Sequence, residues 1–440
     1  MTDESSQWME LLRELFGDRA EEALEEMRHM GMDPEQFASA AGMSGMPGMV
    51  EHVISQLRAL MSQSAGEDVN WTLAHDVARG VAAEGGDPTV TAAQATELRG
   101  AVSRAELWLD AATDFAPATL TPHVWSHAEW VEATLPTWRH LAGPVAVSVS
   151  RALADMLGDE GAGTIIEQIS PTVCGMHLGQ AAGALAREAF GGTDLGVLLV
   201  PEPRVVLVPR AIAAFADGLD VPLDEVTNFL ALRECAHVRL FKNAPWLVGQ
   251  LHNAIERYAQ GVTIDPRALD EAVSQVGMTD PASIQKALTR GIFASSHSPE
   301  QQATLASIEA TLALIEGWVT VVATAAGAPH LPHLGALSEM MVRRRAAGGP
   351  AEETFATLLG LDLRPRRLRD ATQMWSALTH TSGASGRDEV WAHPDLVPDA
   401  EALADWQGWL DSRADGRQDD VDRELERLLD DDSPEPESGT

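Results

Sequence analysis

The stretch DVPLDEVTNFLALRECAHVRLFKNAP, residues 220–245, reads as one helix of about five turns. Pro222 with Asp224 and Glu225 gives it a start, and Arg239, Lys242 and Asn243 ahead of Pro245 give it an end. Its apolar stripe passes through Val226, Leu230, position 233, position 237 and Leu240, at spacings of four, three, four and three. Positions 233 and 237 are Arg and His. Two polar side chains in a buried stripe need partners, because an unpaired buried charge costs several kcal/mol. Glu234 lies about 60° around the helix from His237 and can face the same cavity, whereas Cys235 points about 160° away and reads as a small core residue.

A second helix begins at Ser298-Pro299-Glu300-Gln301, a capping-box pattern with proline in the first helical position, and stops at Gly327 before Pro329. Leu305, Ile308, Leu312, Ile315, Val319 and Val322 make its buried face. Glu316 follows Leu312 by four residues and precedes Val319 by three, so its carboxylate hugs that face, with Glu309 on the same side. A carboxylate there calls for a cation. Packing of the two helices is expected to bring Glu316 to Arg233, Glu234 and His237.

Outward from these helices, residues 67–395 are rich in Ala, Leu and Val at helical spacing, punctuated by Pro and Gly. The strand signals are Gly196-Val-Leu-Leu-Val200 and Arg204-Val-Val-Leu-Val-Pro209, separated by Pro-Glu-Pro and expected to form two short β runs joined by a tight connection. The fold class is therefore mainly α with a small β element, an α+β chain. A doubly wound parallel sheet is disfavoured, and no GxGxxG or Walker loop offers a phosphate cradle for a dinucleotide or ATP. Residues 1–66 read as an N-terminal helical segment with a Met/Gly-rich linker around Met43, Met46 and Met49. Thioethers can bind Cu(I), but a flexible linker is the simpler reading. Residues 396–440 read as an acidic, solvated tail with one helix near 419–429.

The 440 residues hold 66 acidic and 31 basic side chains, a net charge of −35, and only two of the cations are lysines, Lys242 and Lys286. Residues 399–440 contribute −11 of this. So acidic a chain is a poor match for nucleic acid or an anionic membrane surface. No apolar run suggests a spanning helix, and the acidic start MTDESSQWMELL is unlike a signal peptide, so a cytoplasmic location is expected. Cys174 and Cys235 give no disulfide framework and no cysteine zinc ribbon, which leaves His, Asp and Glu to make any metal site.

Leu232-Arg233-Glu234-Cys235-Ala236-His237 is one residue short of HExxH, in which two histidines one turn apart bind zinc and the Glu activates water. Further motifs are Val69-Asn-Trp-Thr-Leu-Ala74, Gly179-Gln-Ala-Ala-Gly-Ala-Leu-Ala186, Phe190-Gly-Gly-Thr-Asp-Leu-Gly196, Pro245-Trp246, Ile315-Glu-Gly-Trp318, Leu363-Arg-Pro-Arg-Arg-Leu-Arg369 and Trp391-Ala-His-Pro394. Together they make residues 69–394 resemble the zincin-like metallopeptidase family of actinobacterial proteins classed as hydrolases, one branch of which is linked to deazaflavin coenzyme biosynthesis. The resemblance implies a mostly helical zincin-like fold, Glu234 as general base, His237 as a zinc ligand and Glu316 as the third protein ligand of a gluzincin-type site.

Position 233 departs from that pattern. Arginine stays protonated and cannot bind zinc. Two readings follow. In one, the chain is a zinc-dependent peptide or amide hydrolase with a peptide or small-molecule substrate, and a substitute ligand comes from His330, His333, His252 or His177. In the other, Arg233 takes the metal's electrostatic place beside Glu316 and Glu234, and the scaffold binds a partner or small ligand without catalysis. Arg343-Arg-Arg345 and the arginines of 364–369 are read as pairing with surplus carboxylates, and Trp246 and Trp318 as packing between the motif helices. No GxSxG segment supports Ser-His-Asp catalysis.

Overall fold

The computed structural model describes residues 68–118, 121–157, 162–194, 196–261, 298–347 and 367–414. The methionine linker, the 419–429 helix and Arg364 with Arg366 lie outside the described residues. In chain order the elements are α1 (Trp71–Ala82), α2 (Ala92–Leu109), β1 (His123–Val124), α3 (His127–Leu157), α4 (Ala162–Ala186), β2 (Val206–Leu207) and α5 (Pro209–Ala216). Then come α6 (Leu223–Asn243), α7 (Trp246–Gln260), α8 (Pro299–Gly327), α9 (Leu334–Ala347), α10 (Leu368–Asp388), α11 (Ala400–Ala404) and α12 (Trp406–Ala414). The fold is mainly α with a small sheet, as expected.

The two motif helices form where their start signals place them. Ser298 and Gln301 make a reciprocal capping box at α8, with Pro299 at the first helical position. α6 starts after Pro222 with Asp224 and Glu225 in its first turn. Its burial differs from the single stripe read in the sequence, since every residue from Glu225 to Phe241 is buried. α2, α5, α8 and α9 all pack on it, which makes α6 a central helix rather than a surface one.

The strand expectation needs correction. Residues 196–200 form no strand, and Val206–Leu207 pairs in parallel with His123–Val124 from far earlier in the chain. Both apolar runs are buried, so composition alone could not separate a buried loop from a strand. The first run is tied back locally, Leu199 N–H donating to Gly192 O at 2.9 Å.

α1 and α4 pack unusually closely. Backbone oxygens of Asn70, Ala74 and Ala78 sit where a Cβ on Gly175, Gly179 or Gly183 would have to go, and α1 offers buried Ala74, Ala78 and Ala82 in return. This explains two of the sequence motifs as a seam of small residues. α8 is long and apolar enough to cross a membrane, but 67% of its most apolar stretch is buried, as in the core helix of a packed domain. Packing also continues beyond the boundary expected at 396: Leu403 of α11 is buried, and Trp406, Trp409 and Leu410 of α12 rest against the core. The acidic composition of 396–440 masked these apolar contacts.

Candidate functional site

α6 and α8 pack against each other and bring three of the expected residues together. Arg233 Nη2 donates to Glu316 Oε2 at 2.7 Å, and His237 Nε2 meets Glu316 Oε1 at 2.8 Å. Arg233 is 7% exposed and Glu316 1%, so this is an ion pair in the interior. His237 Nδ1 lies 3.0 Å from the carbonyl oxygen of Arg233. A carbonyl only accepts, so Nδ1 carries a proton and Nε2 is the atom aimed inward. Arg233 is completed by Thr320 Oγ1, 3.5 Å away, and by the face of Phe229, 6.0 Å from ring centroid to guanidinium carbon.

Glu234 has a separate cradle, so the shared cavity expected from the helical phase is corrected in its detail. Its Oε1 accepts from Gly192 N–H at 2.8 Å and from Val206 N–H at 3.3 Å, and its Oε2 accepts from Thr193 O–H at 2.5 Å. A Cβ at Gly191 would collide with this carboxyl group, so that position calls for glycine. Burial pushes the Glu234 carboxyl up to about 8, with Asp194 adding to the rise, against the pull of the three hydrogen bonds. The Gly191-Gly192-Thr193 cradle was present among the sequence motifs without a role. Adjacent Gly-Gly-Thr was its only signal.

Other sequence candidates sit elsewhere. His333 Nδ1 is 2.8 Å from Glu225 Oε2, at the start of α6. His330 stacks on Trp108 with centroids 4.4 Å apart, and His252 lies beside His140 at 6.3 Å. Among the described residues His177 belongs to no group of metal-ligating side chains. Cys235 is fully buried, and its thiol is pushed well above its ordinary range by burial and by Glu106, as a core residue would be. Trp318 packs in the core and donates to Asp388 Oδ1 at 2.9 Å, and Trp246 donates to the Trp391 carbonyl at 3.0 Å.

Arg239, read as a helix-end cation, is instead fully buried. It bonds Glu106 Oε2 at 2.6 Å, Asp110 Oδ1 at 2.7 Å and Phe115 O at 3.1 Å, tying α6 to α2. Arg343 pairs with Glu339 at 2.9 Å, and Arg344 reaches Glu188 and lies over Phe190 at 4.4 Å, as the pairing reading expected.

Zinc requires three protein donors and an open position. Arg233 offers only N–H groups, and both Glu316 oxygens are already engaged by Arg233 and His237. Among the described residues no three of His, Cys, Asp and Glu gather as a metal site. The residues present do not fit zinc.

A family model described as zincin-like metallopeptidase matches residues 69–410. The chain belongs to the zincin-like metallopeptidase family. The fold of this chain resembles the crystal structure of a "putative hydrolase with a novel fold" from Chloroflexus aurantiacus. That chain is 20% identical, aligned over 80% of this chain and 100% of its own, with a TM-score of 0.58. No curated protein matches. The matched region of this zincin-like chain contains the whole Arg233, Glu234, His237 and Glu316 constellation.

Proposed function

We propose that this chain is a metal-independent member of its family, a ligand-binding scaffold in which Arg233 supplies the positive charge that a metal would bring beside Glu316. The observation that carries this reading is the buried Arg233–Glu316 pair at 2.7 Å. A guanidinium already neutralises the carboxylate that would otherwise ligate, and it adds a cation one helical turn from His237, which disfavours a dication there. Glu234, with its carboxyl pushed up to about 8, is mostly protonated near neutral pH, which also disfavours it as a general base.

A second reading, zinc-dependent hydrolysis of a peptide or amide with Glu234 as base and zinc on His237 and Glu316, is favoured by family membership and by one further observation. His237 is tied through Nδ1 to a backbone carbonyl with Nε2 turned inward, the orientation that metal-binding histidines adopt.

Elemental analysis of chain purified without chelator separates the two. The expected metal content is far below one per chain. A stoichiometric metal that is lost in His237→Ala would overturn the metal-independent reading. As a companion, Arg233→Ala is expected to destabilise the fold by about 3–5 kcal/mol in urea titrations, because it leaves Glu316 buried without its arginine. The double variant Arg233→Met with Glu316→Leu should regain much of that loss. A single variant as stable as the parent would contradict the pairing.

A further inference from the structure

A group of cations gathers at the rim of the small sheet, apart from the Arg233 centre. His123 of β1 stands opposite Val206 of β2, its N–H donating to Val205 O at 2.9 Å. That rung brings Arg204, in the loop just before β2, to the side of His123. α2, which carries Arg99, packs on β1. Trp125, two residues along from His123, lies with its ring 5.3 Å from the imidazole at a tilt of 44°. Burial first, then the charges of Arg204 and Arg99, lower the pKa of His123.

Like charges brought together repel, and this chain has a twofold excess of carboxylates with which to neutralise them. Yet Arg204 meets only Glu202, at 3.1 Å on a side chain 79% exposed, and Arg99 has no ion pair among the described residues.

We propose that this rim is a binding site for a small phosphomonoester that carries an aromatic ring, with Arg99, Arg204 and His123 holding the phosphate oxygens and Trp125 facing the ring. Three separate donor groups suit the three terminal oxygens of a phosphate better than the two of a carboxylate. The inference deepens the binding reading above by naming the ligand class. The rung that would carry the ligand is also the one whose Val206 amide holds Glu234, so the site lies one residue layer from the family motif.

Phosphate bound here gives His123 a partner for a second proton. The charged groups facing it are Arg99 from α2 and Arg204 and Glu202 from the loop before β2. Binding should therefore take up a proton near neutral pH.

The test is calorimetric titration of the full chain with phenyl phosphate, inorganic phosphate and benzoate. Phenyl phosphate is expected to saturate and to bind more tightly than the other two. Arg99→Ser and Arg204→Ser should each weaken it about tenfold, Glu202→Gln should tighten it, and His123→Gln should abolish the buffer-dependent heat of proton uptake. Absence of saturation at millimolar phenyl phosphate, affinity unchanged in both arginine variants, or benzoate binding equally well would each overturn the assignment. Metal content measured on the same samples keeps the two proposals apart. Stoichiometric zinc at His237 with phenyl phosphate still lost in Arg99→Ser would sink the metal-independent reading and leave this one standing.

Discussion

Glu234 is held between opposing forces. Three donors favour its charged form, while the loss of water around it and the neighbouring Asp194 favour the neutral one, and burial prevails with a value of about 8. Because the folded value lies above the ordinary 4.5, the native state keeps this proton longer than the unfolded chain does. The associated stability is complete below about 4.5, drains as pH rises and is gone above about 8. Glu234→Gln cannot ionise, so urea midpoints across that window should decline less steeply in the variant, which should be the more stable protein on the alkaline side. Equal slopes would refute this. At this scale the sequence was partly legible. Arg233, His237 and Glu316 announced themselves as polar intrusions in apolar stripes, and a helix carries phase information that tells which side chains converge. The partners of Glu234 come from an irregular segment, Gly191 to Val206, where no periodicity tells which amide points where.

Between elements, the α1–α4 seam shows how spacing becomes geometry. An Ala for Gly change inside an exposed helix gains about 1 kcal/mol from backbone propensity. Gly80 on α1 has open space around its Cβ position and should follow that rule. A Cβ on Gly179 would stand 2.6 Å from the Ala74 carbonyl oxygen and 2.7 Å from Val77 Cβ, so Gly179→Ala should instead destabilise by about 1–3 kcal/mol through forced separation of the helices. Thermal melts of the two variants side by side test the difference in sign; a stabilised Gly179→Ala would mean that the helices are not in contact there. The four-residue recurrence of Gly175, Gly179 and Gly183 was visible in the sequence, as was the capping box of α8. The sheet was not, because its strands are two residues long and pair across an interval that holds α3 and α4. Short apolar runs carry no record of a distant partner.

Over the whole molecule, the scarce cations are spent unevenly. Arg233, Arg239 and Arg387 are buried, where they answer Glu316, Glu106 and Asp388. The remaining surface is strongly negative, and its self-repulsion opposes compactness. Raising NaCl from about 0.01 M to about 0.15 M shortens the screening length from about 30 Å to about 8 Å, so the melting temperature should rise over that range. A falling melting temperature would show that the buried and surface ion pairs outweigh repulsion. The mainly α class could be read from helical spacing throughout. Where the packed body ends could not, since charge composition hid Leu403, Trp406 and Trp409 among acidic neighbours.

The burial of α6 on every side has a further meaning for how the molecule is assembled. A helix lined by segments from α2, β2, α8 and α9 has no half-built environment in which it is content. Any fragment that retains it while omitting one neighbour bares apolar surface together with an arginine or a glutamate that has lost its counterpart. The charged side chains at its heart thus act as a check on completeness, tolerated only when chain segments from α2 to α9, more than 200 residues apart, have all arrived, which favours an all-or-none transition over piecewise folding.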